Sequence, residues 1–322
     1  MESVTPTRRG RPPISNRVIR VGGAMAIVAL LRERSIDADA LMAAVGLPAE
    51  AFGHPDNVIP FARLGELARL AADHTGLADI GLRACTRTGL EMLGTVGYLV
   101  ANSETVGTGL AALQSYLHLH DEGAAPYLQL EGGLAALGYE VLEHDVPGSE
   151  QITFGALAIA ANLLREICGP DFVLREVSFA CHAPADSSAF ASHFGAPVRF
   201  DADRSAVVFD AGFLMRPIAG ANPLLRDFIT SQLRETARIG DGEVAKDRIQ
   251  RVMRTLLATG CIGQDKVARA FGMNRRTFAR RLQENGTTFR ALLDAVRLDA
   301  ARVLLHKADV ALEDIVNKRG YA

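Results

Sequence analysis

The stretch that most constrains the fold of this chain is IGQDKVARAFGMNRRTFARRL, Ile262 to Leu282. Val267 and Phe271 give a first short helix an apolar edge at a spacing of four, and Phe278 and Leu282 give a second helix the same edge. Gly272 stands between them, where a helix that must turn sharply favours a residue without a Cβ. Asn274 is a suitable N-cap for the second helix, and Ala268 is small enough to let the two helices cross closely. Together these features predict a helix-turn-helix. With the apolar positions of the second helix committed inward, Arg275, Arg276, Thr277, Ala279, Arg280 and Arg281 are left facing outward. Guanidinium groups pair bidentately with guanine edges and phosphate oxygens, and a helix fits the DNA major groove. The competing reading is an arginine-rich helix face that only meets solvent.

Charge is distributed to match. The chain has 322 residues, enough for two domains, and a net charge of -2. Val244 to Ala322 holds 16 Lys and Arg against 8 Asp and Glu, and Val21 to Glu243 holds 14 against 28. With 5 against 1 in Met1 to Arg20, the sum +8 - 14 + 4 recovers -2. An acidic body is therefore joined to a basic C-terminal domain suited to a polyanion. Cys85, Cys168, Cys181 and Cys261 form no CxxC pair and no zinc spacing, so they read as reduced, mostly buried thiols and imply a cytoplasmic location. Arg8 and Arg9 precede no export signal, because Pro12, Pro13, Arg17 and Arg20 interrupt the apolar run that should follow. The run from Ala24 to Leu31 is too short to span a membrane.

Residues 1–17 read as a disordered, Pro- and Arg-rich tail. Helical periodicity then predicts Val21 to Arg34, Asp37 to Val45, Pro60 to His74, Ala78 to Arg87 and Thr105 to His120, with Asp37 and Thr105 as caps. After Gly123 the period changes to that of a β-hairpin around Gly132 and Gly133. A helix from Ser149 to Cys168, a strand from Leu174 to Cys181, a helix from Pro184 to Phe194 and paired strands at Val198 to Phe200 and Ala206 to Phe209 follow, then a helix from Asn222 to Arg238. The order predicts an α+β N-terminal domain, helices plus a small mixed sheet, over residues 18–238. A linker at 239–245, beginning IGDGE, leads to an all-α domain at 246–322. There a long helix, Phe289 to His306, joins the first unit to a partial repeat, VALEDIVNKRGYA, whose Ile315, Val316 and Gly320 fall 48 residues after Val267, Ala268 and Gly272. The expected domain is a double helix-turn-helix whose second unit is incomplete at Ala322, with weaker DNA selectivity as the consequence.

These residues resemble the AraC/XylS-type transcription regulators. GMNRRTFARRL and the connecting helix FRALLDAVRLDAARVLL are similar to that family's DNA-binding domain. LGTVGYLVANSETVGTGLAAL, LREVSFACHAPADSSAFASHFGAPVRFD and AVVFDAGFLMRPIAGANPLL are similar to its arabinose-binding-like effector domain. The resemblance implies that Arg276, Ala279 and Arg280 face base edges and that Arg275, Thr277 and Arg281 lie nearer the backbone. It also implies promoter DNA, a small-molecule effector and RNA polymerase as partners, and activation of transcription as the outcome; a second copy of the chain is expected because one reader carries little sequence information and paired sites add affinity.

Other classes are weaker. His118 and His120 with Asp121 and Glu122 could suggest a metal site, but residues two apart on a helix diverge. Cys181 and His182 could suggest a thiol–base pair, but strand neighbours face opposite sides. With no hydrolase, phosphate-loop, zinc or dinucleotide motif, neither an enzyme nor a cofactor is expected. A ligand-binding or dimerisation module with defective DNA binding is the remaining alternative. No effector residues can be assigned. The apolar face of Ser149 to Cys168, with Tyr98, Tyr116 and Tyr139, reads as hydrophobic core before it reads as a pocket wall.

Overall fold

The computed structural model describes residues 17–143, 145–239, 249–250, 253–254, 257, 262–270, 275–284 and 286–306. The N-terminal domain opens with Val18–Arg20 (β1), paired antiparallel with Val58–Pro60 (β2). Around this ribbon pack Met25–Glu33 (α1), Ala38–Ala44 (α2), Phe61–Thr75 (α3) and Ile80–Cys85 (α4). Their inward faces bury Leu31, Met42, Phe61 and Leu67 completely. Asp37 caps α2 as its sequence predicts, accepting from the Ala40 amide at 3.0 Å.

Thr95–Ala101 (α5) and Val106–Tyr116 (α6) follow, the latter capped by Thr105 and Thr108 in a reciprocal pair. One 3₁₀ turn, Leu117–Leu119, then delivers the chain to a hairpin of Ala124–Glu131 (β3) and Leu134–Val141 (β4). Ser149–Cys168 (α7) lies behind it, and Glu176–Ser178 (β5), Ser188–Phe194 (α8), Val198–Arg199 (β6) and Ala206–Asp210 (β7) complete the domain. The sheet order is β3-β4-β7-β5-β6, antiparallel except for the parallel β5–β6 pair. This is the mixed α+β architecture that the alternation of periods predicts, but the strands expected to pair at Val198 to Phe200 and Ala206 to Phe209 do not meet, because β5 lies between β6 and β7 and pairs with both.

Pro223–Ile239 (α9) leaves the body along α5 and α6, burying Ile229 and Leu233 against Leu99. The Asn222 side chain caps it by accepting from the amides of Leu224 and Leu225, and the Asn222 amide donates to Oδ1 of Asn102 at 3.1 Å. In the C-terminal region, helical residues at 249–250, 253–254 and 257 precede Gln264–Ala270 (α10), Arg275–Glu284 (α11) and Phe289–His306 (α12). Met253, Leu257, Val267, Phe278, Leu282, Leu292 and Val296 form a core of their own.

Several boundaries differ from the sequence expectation. Arg17, assigned to the tail, is held in place, its carbonyl accepting from the Phe61 amide at 2.9 Å. Val18–Arg20 is a strand, so the first helix starts at Met25 rather than Val21. The helix expected to reach His120 stops at Tyr116, because the next residues tighten into the 3₁₀ turn that feeds the sheet. The helix α9 runs through Ile239, the first residue assigned to the linker. The remaining tail at 1–16, the linker at 240–245, Phe271, Gly272 and Asn274, and the second helix-turn-helix unit beyond 306 lie outside the described residues.

Phe179 joins β5 to the helical layer. Its ring meets Phe154 and Phe190 edge-on at 5.2 and 5.4 Å and stacks on Phe200 at 5.3 Å. Because it is fully buried, Phe179→Ala should destabilise the domain by about 3–5 kcal/mol. Urea unfolding followed by circular dichroism should show a lower midpoint with an unchanged slope.

Candidate functional site: recognition helix and buried cavity

On α11, Phe278 and Leu282 are 1% and 2% exposed, so one edge of the helix is fixed against α10 and α12. A 100° step per residue then puts Arg276 and Arg280 on the opposite side, and both are exposed. Arg275 is also exposed, on the flank nearer α10, where its guanidinium stands 4.0 Å from Asp265. That pair is solvent-exposed and weak. Ala279 is half-buried beside the arginines. Thr277 and Arg281 lie on the same helix, and their side chains are outside the described residues.

The two ends of the unit are held by backbone chemistry. The helix α11 closes with Gly286 at a φ of +67°, its amide donating to the Gln283 carbonyl and the Thr287 amide to that of Leu282, both at 2.9 Å. The Thr288 hydroxyl accepts from the Ala291 amide at 3.2 Å and starts α12. Arg254 and Asp299 pair at 3.1 Å and tie the helical residues before α10 to α12. A cationic ridge is thus mounted on a small, fixed, three-sided support.

A second candidate lies inside the N-terminal domain. A cavity of about 120 Å³ is bounded by β1, α1, α4, α6, β4 and α7. Ile152, Ala156, Ile159, Ala160 and Leu163 form its wall on α7, a stripe at spacings of three and four. Arg20 crosses one end, with its Nε donating to the Leu119 carbonyl at 3.1 Å and its NH1 reaching Asp56 at 2.5 Å. Beside it Asp121 is buried, its Oδ2 accepting the Tyr139 hydroxyl at 2.5 Å and its Oδ1 the Gly123 amide at 2.8 Å. Burial first, and then Asp121, pushes the Tyr139 hydroxyl well above the usual phenol range. Gln151 donates to the Ala78 carbonyl at 2.8 Å and accepts from the Gly81 amide at 3.1 Å. His120 is 5% exposed, and its Nδ1 has no hydrogen-bond partner among the described residues. Burial, reinforced by Arg20 and opposed by Asp56, lowers its pKa to about 4, so the ring is neutral at pH 7.

Residues 36–218 match the arabinose-binding domain of AraC transcription regulators, N-terminal, and residues 267–322 match a helix-turn-helix domain. The first match alone spans more than half of the chain. The chain belongs to the AraC family of transcription regulators. It is 27% identical over 299 residues to the HTH-type transcriptional regulator VirS of Mycobacterium tuberculosis, covering 91% of this chain and 86% of that one. It is 26% identical over 309 residues to the ornithine utilization regulator of Pseudomonas aeruginosa, covering 94% and 90%. The crystal structure of transcriptional regulator CdpR from Pseudomonas aeruginosa has the same fold, with a TM-score of 0.52 and 20% identity over 93% of this chain and 90% of that one. As an AraC-family regulator the chain binds DNA through its helix-turn-helix region and carries an effector domain ahead of it.

Of the residues considered for a pocket from sequence, Tyr139 lines the cavity. Tyr98 is 64% exposed, and Tyr116 packs toward α9. The helix α7 is both core and pocket wall, on adjacent faces. The signal for the second role was its small residues Ala156 and Ala160, which line the cavity. His120 was weighed as a metal ligand, and among the described residues no group of three His, Cys, Asp or Glu is placed to hold a metal. His182 is exposed beside Asp201 rather than set against a thiol. No helix among the described residues is long and apolar enough to cross a membrane.

The depressed pKa of His120 has a definite sign in stability. The folded value of about 4 lies below the ordinary 6.5, so the unfolded chain binds the proton more tightly. Stability from this group is complete above pH 6.5 and is lost as pH falls toward 4, by on the order of 3 kcal/mol. Urea unfolding at pH 7.5, 5.5 and 4.5 should show this loss, and His120→Phe should flatten that part of the profile.

Proposed function

We propose that this chain is a cytoplasmic transcription activator whose α11 reads promoter DNA and whose N-terminal domain, residues 18–238, gates that reading in response to a small molecule. The DNA-binding domain would comprise residues 246–322, joined through 239–245. The observation that carries the proposal is the exposed cationic ridge of α11, set opposite the buried Phe278 and Leu282. Arg276 and Arg280 would meet base edges, Ala279 a thymine methyl, and Arg275, Thr277 and Arg281 the backbone. RNA polymerase would be the downstream contact. A second copy of the chain would add a second reader and with it affinity through effective concentration.

The packing of α6 supports a route between cavity and DNA. Leu113 and Leu117 face the cavity. Ala112, Tyr116 and Leu119, on the other side of the same segment, face Ile229 and Leu233 of α9, the last described element before the helix-turn-helix. An occupant that moves this segment by a fraction of a turn would re-seat α9.

Binding titrations test the DNA-contact assignment, using the fragment that the intact chain selects from genomic DNA. Arg280→Ala should lose about 1–3 kcal/mol and relax the preference at one base pair. Arg275→Ala should weaken all sequences alike and flatten the salt slope by about one unit. Unchanged affinity and preference in Arg280→Ala would show that α11 is not the reader. Tyr116→Ala should uncouple DNA affinity from effector while leaving effector affinity close to that of the parent, and retained coupling would rule out the route through α6.

A further inference from the structure

We propose that the cavity takes an uncharged, largely apolar molecule carrying a single hydrogen-bonding group, and that this group meets the imidazole of His120. The inference rests on the reading that the N-terminal domain senses a small molecule, and it assigns the chemistry of that molecule.

Size sets the first limit. At about 120 Å³ the cavity is close to engineered apolar cavities of about 150 Å³, which hold benzene. Its walls are mainly hydrocarbon, including Ala24, Leu93, Leu113, Leu137, Ala156 and Leu163. Such a surface rewards an apolar body and gives no return on a hydrated one.

Polar accounting sets the second. The Arg20 guanidinium is engaged by Asp56 and the Leu119 carbonyl. Both carboxylate oxygens of Asp121 accept, from Tyr139 and from the Gly123 amide, and the Tyr139 hydroxyl is spent on that bond. Both ends of the Gln151 carboxamide are bonded to the backbone of α4 and the residues before it. A charged ligand would therefore give up its water and find the charged groups at the cavity already bonded to other partners. His120 is different, because its ring lines the cavity and its buried Nδ1 has no hydrogen-bond partner among the described residues. A neutral imidazole has one donor and one acceptor nitrogen, set by its tautomer, so one hydroxyl or carbonyl on the ligand can pair with the side of the ring that faces the cavity.

Four probes of one shape separate these terms: toluene, benzyl alcohol, benzoate and benzylammonium, each titrated calorimetrically into the full chain at pH 7. Toluene and benzyl alcohol should bind, the alcohol about fivefold more tightly, and the two ions should not. In His120→Phe the alcohol should lose its advantage while toluene keeps its affinity. His120→Gln, which restores a hydrogen-bonding group, should recover the preference and also covers the case in which the Phe variant does not fold. Ala160→Leu should narrow the cavity and weaken both neutral probes by about tenfold or more. Equal affinity for toluene and the alcohol, binding of either ion in preference to the neutral pair, binding by none of the four, or undiminished binding in Ala160→Leu would each overturn the proposal. DNA affinity of the probe-loaded chain is measured separately. If probes bind as described and DNA affinity does not move, the sensing role fails while the chemistry of the cavity stands.

Discussion

The N-terminal domain depends on the close crossing of α4 and α7. A Cβ added at Gly81 would lie 1.9 Å from the Gln151 carbonyl oxygen, so only glycine permits this approach of the two backbones. Gly155, one turn on, faces Cys85 and the Gly81 carbonyl across the same gap. The Gln151 carboxamide then locks the crossing by bonding Ala78 and Gly81 in place of water. Each of the two hydrophobic clusters draws on both helices: Ile80 and Ile152 belong to one, and Leu82, Cys85, Phe154 and Leu157 to the other. The crossing is where the two halves of the core become one body. It also explains the cavity, because two helices that meet through glycine bring little side-chain volume to fill the space alongside them.

That origin explains what could be read from the sequence and what could not. The helix-turn-helix periodicity, the caps at Asp37 and Thr105 and the hairpin at Gly132 and Gly133 are local features, each set by a few adjacent residues, and all the described ones appear where their residues predict. The strand at Val18–Arg20 is not local. It exists because Val58–Pro60 comes to pair with it from 40 residues away (58 minus 18), and no alternation over three residues can announce that. The helix Thr95–Ala101 was hidden between glycines, and its packing against α6 and α9 overrides its weak propensity. The cavity was the least legible part. Its polar end gathers Arg20, His120, Asp121, Tyr139 and Gln151 from segments spread over 131 positions (151 minus 20), with no shared motif. By contrast, the cationic side of α11 is legible because a helix fixes the direction of each side chain from its number alone.

Charge divides the labour between the two regions. The body carries the acidic excess and the C-terminal region the basic one. Phosphate therefore attracts the reader and repels the sensor, which favours an orientation with the effector domain held away from the duplex. Within the body the same economy holds on a smaller scale. The charged groups at the cavity are engaged in hydrogen bonds, Arg20 with Asp56 and Asp121 with Tyr139, and the histidine among them is kept uncharged by burial. A site whose charged groups are already engaged would discriminate ligands by shape and by one hydrogen bond.

For a ligand to alter DNA binding, it must bind one arrangement of the chain better than another, and the same coupling must act in reverse. The attachment of α9 suits that requirement. Its buried contact with the body rests on Leu99, Ile229 and Leu233, and its start on the Asn222 cap held by Asn102. Among the described side chains this seat is narrow enough to lie within the reach of a small molecule, since couplings between sites are typically about 1–3 kcal/mol. A larger seat would have made the helix part of the core and insulated the reader from the cavity. The segment from Val106 to Leu119 has the cavity on one face and this narrow seat on the other. In the proposed mechanism it is the place in the domain where filling a small apolar space would be felt by the helix that leads to DNA.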